Sequence, residues 1–252
     1  MVEHLVYTER VGGSSPSPPT NRPRGAWPPR PFRSLMRTLV VLACLSGLAF
    51  VGDAHAAQAP MTFRAVSLDS PGCGSRCPEV VIAEGVIEND TAQAFIDFAQ
   101  RASLSARLRS VIFIDSPGGN VVASMELGAA FRKLSSAVIV AGYATQGGRS
   151  GPVSGQCLSA CVYALMGAVR RVVPNVSRVG LHRMSIVEAG SGPVAGRRML
   201  ADPHLVAVLA RYAARMGVDP ALVWRAESLT PGTLHVLTAG EMARWRLASP
   251  RL

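Results

Sequence analysis

The stretch Val111-Ile112-Phe113-Ile114-Asp115-Ser116-Pro117-Gly118-Gly119-Asn120 decides how the rest of the chain is read. A continuous apolar run rich in β-branched residues is the pattern of a strand buried on both faces. Ser-Pro-Gly-Gly-Asn ends it, and residues 121–133 then carry a helical pattern, so the stretch is a strand, a turn and a helix. Paired glycines after a buried strand let a backbone N–H point into open space instead of a ladder, as an oxyanion hole requires.

Elements of the same kind follow on either side. Residues 80–87 read as a strand and 92–99 as a helix capped by Asp90. Residues 137–141 read as a third strand, and the glycine- and serine-rich 145–156 as a loop. Residues 158–167 look helical, and 171–173 and 179–181 look like short strands about a turn at Pro174-Asn175. A helix is expected over 197–217, with Gly217 as its stop, and another from Asp219-Pro220. Residues 234–237 and a short helix over 239–245 close the chain. Strands alternating with helices specify an α/β layered domain.

Length and composition agree. The 252 residues, 48% hydrophobic and 17% charged, suit one large domain or two small ones and exclude a collagen, a heptad rod or a wholly disordered chain. The formal charge of +10 comes from 26 basic against 16 acidic residues, and Lys133 is the only lysine. The arginines are dispersed, at most two in a row, without an aromatic-interleaved groove or zinc-finger spacing, so no nucleic-acid partner is expected.

The N-terminal region reads as an address. Residues 39–51 form one apolar run, too short to span a bilayer but right for a signal-peptide core. Arg37 flanks the run and Ala54-His55-Ala56 supplies a cleavage site, so 36–56 is a secretory signal and Ala57 the expected mature start. Residues 1–35, rich in proline and arginine, are expected to be disordered, with Met36 as the true start. An uncleaved anchor behind a disordered cytoplasmic tail is the lesser alternative. Residues 57–78 are then a short segment preceding a domain over 79–252. Export to the periplasm or beyond favours disulfides among Cys73, Cys77, Cys157 and Cys161. Cys73–Cys77 is the favoured pair and Cys157–Cys161 the second, a long-range pairing being open too. The C-x3-C spacing is not the usual zinc pattern, and no metal is expected.

Two further pieces join the glycine turn. Cys157-Leu158-Ser159-Ala160-Cys161 places a serine at a helix start, where free N–H groups stabilise developing negative charge, and a disulfide between these two cysteines would rigidify the turn. Val179-Gly180-Leu181-His182 ends a buried strand in histidine, the usual general base near neutral pH. Taken singly, each has a plain structural reading as a cap, a hydrogen-bonded core histidine or a turn; His204 and His235 are read that way. The ordered set is what carries information.

Glycine pair, serine at a helix start, proline-asparagine turn and histidine at a strand end resemble, in that order, the Clp protease proteolytic subunit and its relatives in the ClpP/crotonase superfamily. The exported, cysteine-bearing version is most similar to the periplasmic ClpP-like proteins of bacteria. The resemblance implies a ClpP/crotonase-like layered spiral of repeated β-β-α units, with Ser159 as nucleophile, His182 as base, and the Gly119 and Ala160 N–H groups as oxyanion hole. It implies no cofactor, a peptide or protein substrate, and a homo-oligomer. Export makes an ATP-driven unfoldase partner unexpected and confines any membrane contact to the signal segment. The family's third acid has no aspartate to match it. Glu227 is the only acid nearby, with Ser228 and Thr230 beside it. The spacing from Gly119 to Ser159 exceeds the family's, and the excess falls in 145–156, a loop expected to act as a lid or to obstruct the site. Lys133 is misplaced for a serine–lysine dyad, and no G-x-S-x-G elbow is present. Two readings follow: an exported serine peptidase working through an acyl-enzyme, or a non-catalytic binding or assembly protein on the same scaffold.

Overall fold

In the computed structural model, which describes residues 59–68, 73, 77–102, 108–187 and 198–249, a strand precedes the one expected first. β1 (Thr62–Ser67) pairs antiparallel with β2 (Glu79–Glu84), so the sheet begins at Thr62. The Cys73–Cys77 disulfide sits between these strands. The signal-like segment and everything before it lie outside the described residues.

After β2 come α1 (Thr91–Ala102), β3 (Leu108–Asp115), α2 (Val121–Lys133) and β4 (Ala137–Gln146). β2, β3 and β4 run parallel, with Ile112 opposite Val138 and Ile114 opposite Val140. Ile112 and Ile114 join the main core with Phe95, Leu127 and Phe131, while Phe113 faces the other way among Val80, Ile82 and Ala141. Burial on both faces is why β3 reads as an unbroken apolar run. Asn120 caps α2, its side chain accepting the Ala123 N–H at 2.9 Å.

β4 continues past its expected end and turns back through Gly147-Gly148 into β5 (Arg149–Ser154). The expected loop is therefore a hairpin. Both glycines hold positive φ, as a two-residue turn between twisted antiparallel strands demands. β6 (Gln156–Leu158) follows, then α3 (Cys161–Gly167), β7 (Arg170–Val172) and β8 (Arg178–Leu181). β7 completes the main sheet alongside β4. β8 pairs parallel with β6 and antiparallel with β11 (His235–Val236), making a second, three-stranded sheet. β9 (Ser185–Val187) pairs with β10 (Arg198–Leu200), so the helix expected from residue 197 starts later, as α4 (Pro203–Arg215). Asp202 caps that helix and Pro203 fixes its first turn. α5 (Ala221–Glu227) and α6 (Ala239–Arg244) complete the described chain. The architecture is α/β and layered. No helix among the described residues is long and apolar enough to cross a membrane.

α3 is the centre of the core: every residue from Cys161 to Gly167 is buried. A helix apolar on all sides can only live inside a domain. Arg132 and Arg171 gather the carbonyls at its far end, Arg132 Nε donating to Gly167 at 2.9 Å and Arg171 to Met166 and Ala168 at 3.0 and 2.9 Å. On its side, Gly167 lies against Gly128 of α2 so closely that a β-carbon on Gly167 would fall on the Gly128 backbone. Gly167→Ala must therefore push α2 off α3, and is expected to lower unfolding free energy by roughly 1–3 kcal/mol. Urea denaturation measures this; an unchanged midpoint would show that the two helices are not locked together.

Candidate functional site

Three parallel strands end at one place. β3 pairs onward into β6 through Ser116, whose N–H donates to the Gln156 carbonyl at 2.8 Å and whose carbonyl accepts the Leu158 N–H at 3.0 Å. β6 in turn lies parallel to β8, with Leu158 opposite Gly180. The residues just beyond the three strands are the glycine turn, Ser159 and His182. The carboxyl ends of parallel strands are where α/β folds gather their working side chains, because the chain turns there and backbone groups are left unpaired. Asp115 adds a tie across the same junction, its Oδ1 accepting the Gln156 N–H at 3.0 Å. Burial raises its pKa above the ordinary value, opposed by that hydrogen bond.

These ends enclose a cavity of about 20 Å³, lined by Gly119, Ser159, Ala160 and His182 on its polar side and by Val121, Tyr163, Leu181 and Met184 on its apolar side. Ser159, His182, Gly119 and Ala160 thus share one pocket. The 145–156 segment is not among its lining residues. Lys133 is exposed at the end of α2, away from it.

The turn is built so that only glycine fits. Gly119 has φ 138°, and a β-carbon there would strike the Ile87 carbonyl oxygen; Gly118 has φ 111°, and its β-carbon would lie 2.7 Å from that of Ser159. The Ile87 carbonyl accepts the Asn120 N–H, and the Ile87 N–H donates to the Gly118 carbonyl. Among the described residues, neither the Gly119 nor the Ala160 N–H finds a backbone or side-chain acceptor. Two N–H groups left over at one pocket can stabilise an oxyanion.

Ser159 itself is held in the left-handed region at φ 55°, which costs a serine about 1–2 kcal/mol. Its N–H donates to the Gly180 carbonyl at 2.8 Å, and its carbonyl accepts the Val162 N–H at 3.1 Å. The Cys157–Cys161 disulfide closes the turn around it. A ring that small removes roughly 2 kcal/mol of unfolded-chain entropy, comparable to the conformational cost of the serine.

His182 Nδ1 lies 2.8 Å from the Arg183 carbonyl. A carbonyl only accepts, so Nδ1 carries the proton and, in the neutral ring, Nε2 is the basic nitrogen. The next amide, Met184 N–H, donates to Glu227 Oε1 at 3.1 Å, and Arg183 Nε stands 4.0 Å from Glu227 Oε2. Glu227 therefore reaches the histidine's loop, but through its backbone, while the group on the imidazole Nδ1 is a main-chain carbonyl. Nothing in a sequence pattern marks a backbone acceptor. Ser228 and Thr230 are exposed, and Ser228 Oγ donates to the Arg225 carbonyl. Burial raises the Glu227 pKa, with the Met184 N–H, Arg183 and His182 pulling the other way. Burial, and then the Glu227 charge, push the Tyr163 phenol well above the ordinary tyrosine range, so it stays protonated. His235 belongs elsewhere: its Nε2 meets Glu241 Oε1 at 2.8 Å in the capping box of α6.

No family model matches the chain, and no curated protein matches it. Among solved structures it is similar to a serine-to-alanine mutant of the 1510-N membrane-bound stomatin-specific protease, at 17% identity and a TM-score of 0.46, covering 68% of this chain and 78% of that one. A lysine-to-alanine mutant of that protease in complex with a substrate peptide aligns at 18% identity and 0.45, over 68% and 74%. ClpP1 from Listeria monocytogenes aligns at 16% identity and 0.44, over 69% and 89%. The chemistry is read from the site's own residues.

The Glu227 environment fixes a pH dependence. Its folded pKa stands above the ordinary 4.5, so between the two values the native chain holds the extra proton and stability falls as pH rises through that window. Glu227→Gln keeps an acceptor for Met184 N–H without the buried charge. Urea midpoints across pH 4 to 8 are expected to lose that decline and to be unchanged or higher at neutral pH. A lower midpoint at neutral pH would show that the charge itself stabilises the fold.

Proposed function

We propose that the protein is a serine peptidase of ClpP-like type, acting on peptide or protein substrates after export. The observation that carries this reading is the single pocket holding Ser159, His182 and the N–H groups of Gly119 and Ala160, neither of which finds an acceptor among the described residues. Separately each is commonplace; together they are the parts an acyl-transfer site needs.

The steps follow from the atoms. Ser159 Oγ adds to the substrate carbonyl carbon while its proton passes to His182 Nε2. The carbonyl oxygen becomes an oxyanion stabilised by the Gly119 and Ala160 N–H groups. The imidazolium then gives its proton to the departing amine, breaking the C–N bond, and water repeats the sequence to release the acid. The Arg183 carbonyl keeps the proton on Nδ1 throughout, and the negative charge of Glu227 favours the imidazolium. A third acid in contact with the ring is dispensable on this account. Export is supported by the signal-like segment and by cysteines that close into two disulfides.

A fluorophosphonate serine-hydrolase probe tests this. The oxidised protein is expected to be labelled; Ser159→Ala abolishes labelling, and His182→Ala slows it by about 10²–10⁴. The mass of the labelled species also reads whether the chain begins at Ala57. Absence of labelling in a folded, oxidised sample would support the non-catalytic scaffold instead.

A further inference from the structure

The Cys157–Cys161 disulfide does not merely lie near the candidate nucleophile; it spans it. One half-cystine stands two residues before Ser159 and the other two residues after. Cys157 is the middle residue of β6, bridged to Ser116 on one side and paired with Val179 on the other. Cys161 opens α3. The sulfur link thus ties the strand that leads into Ser159 to the helix that leads out of it. Both cysteines are at 0% exposure, so the link is sealed inside the core. Ser159 between them keeps its left-handed φ, and its β-carbon occupies the space that a β-carbon on Gly118 would need, an arrangement that any relaxation of the turn toward ordinary backbone would undo.

We infer that the Cys157–Cys161 disulfide is the positioning element for Ser159, so that the site becomes competent only when these two thiols are oxidised. The inference rests on the reading of Ser159 as nucleophile. A chain synthesised in reduced form then carries a silent site until it meets an oxidant. That oxidant is a disulfide-bearing compound: one cysteine thiolate attacks its sulfur, giving a mixed disulfide, and the second thiolate displaces the oxidant's remaining thiol. Two electrons and two protons leave the cysteines and the oxidant ends as a dithiol. Because neither sulfur is accessible in the folded state, reversal requires opening the start of α3. The event is a maturation step, not a rapidly reversible sensor.

The test compares the oxidised wild-type protein with the double variant Cys157→Ala/Cys161→Ala, and uses Cys73→Ala/Cys77→Ala as the control pair, since that disulfide lies between β1 and β2. Two readouts are taken: the fluorophosphonate labelling rate, and amide exchange resolved to single residues. In the first double variant, labelling is expected to slow at least tenfold, since small displacements of a reacting group have effects of that order or larger. Exchange is expected to quicken at the Ser159 and Val162 amides while Ile112 and Phe113 in β3 stay protected. The control pair leaves both readouts unchanged at the site. Unaltered exchange at Ser159 and Val162 overturns the inference, and so does a loss of protection throughout the chain, which makes the bond a staple of the whole fold. If wild type fails to label while exchange quickens locally in the variant, the peptidase reading falls and the positioning role stands.

Discussion

The site hangs from the pairing of Ser116 with β6. Two backbone hydrogen bonds, at 2.8 and 3.0 Å, join the end of the main sheet to the start of the smaller one. Because the junction is parallel, the chain leaves β3, β6 and β8 on the same side, and the glycine turn, Ser159 and His182 emerge as neighbours. Ser116 is itself fully buried, and its hydroxyl oxygen accepts the Gly118 N–H at 3.2 Å, so the residue that joins the sheets also shapes the turn. No alternative register preserves this geometry. A shift of one residue between β3 and β6 would turn Cys157 away from the core and carry Ser159 off the glycine pair.

The packing behind the site serves the same constraint. α3 is buried along its whole length, so Ala160 and Ser159 sit where the core puts them. At its other end Arg132 and Arg171 satisfy carbonyls that a buried helix end would otherwise leave unpaired. The Tyr212 hydroxyl donates to the Tyr163 carbonyl at 2.9 Å, holding the helix from the α4 side. A rigid platform matters for an oxyanion hole, since N–H groups act in the transition state only to the extent that they are aimed beforehand.

Much of this was legible in the chain. The apolar run of β3 gave itself away because both its faces are buried, and the ordered glycine, serine and histidine pieces lie where parallel strands end. Even count and close spacing favoured the two short-range cysteine pairs but left a long-range pairing open, and the structure closes both short rings. What escaped was of three physical kinds. Gly147-Gly148 lies within a glycine- and serine-rich stretch whose composition reads as loop, although a glycine pair between strands is a hairpin signal that local turn chemistry carries. β1 and β10 are short strands whose partners are supplied by tertiary context, which residue patterns do not encode. The partner of His182 Nδ1 is a carbonyl, and every residue has one. The Glu227 reading stood between these: the acid does arrive at the histidine's loop, by way of the Met184 amide.

The most direct measurement of the central claim is a crystal structure of the oxidised protein after reaction with a phosphonate that mimics the tetrahedral intermediate. The account predicts phosphorus bonded to Ser159 Oγ, with the phosphonyl oxygen about 2.7–3.1 Å from the nitrogens of both Gly119 and Ala160. A phosphonyl oxygen turned away from those two N–H groups, or a phosphonate bonded to any residue other than Ser159, would contradict it.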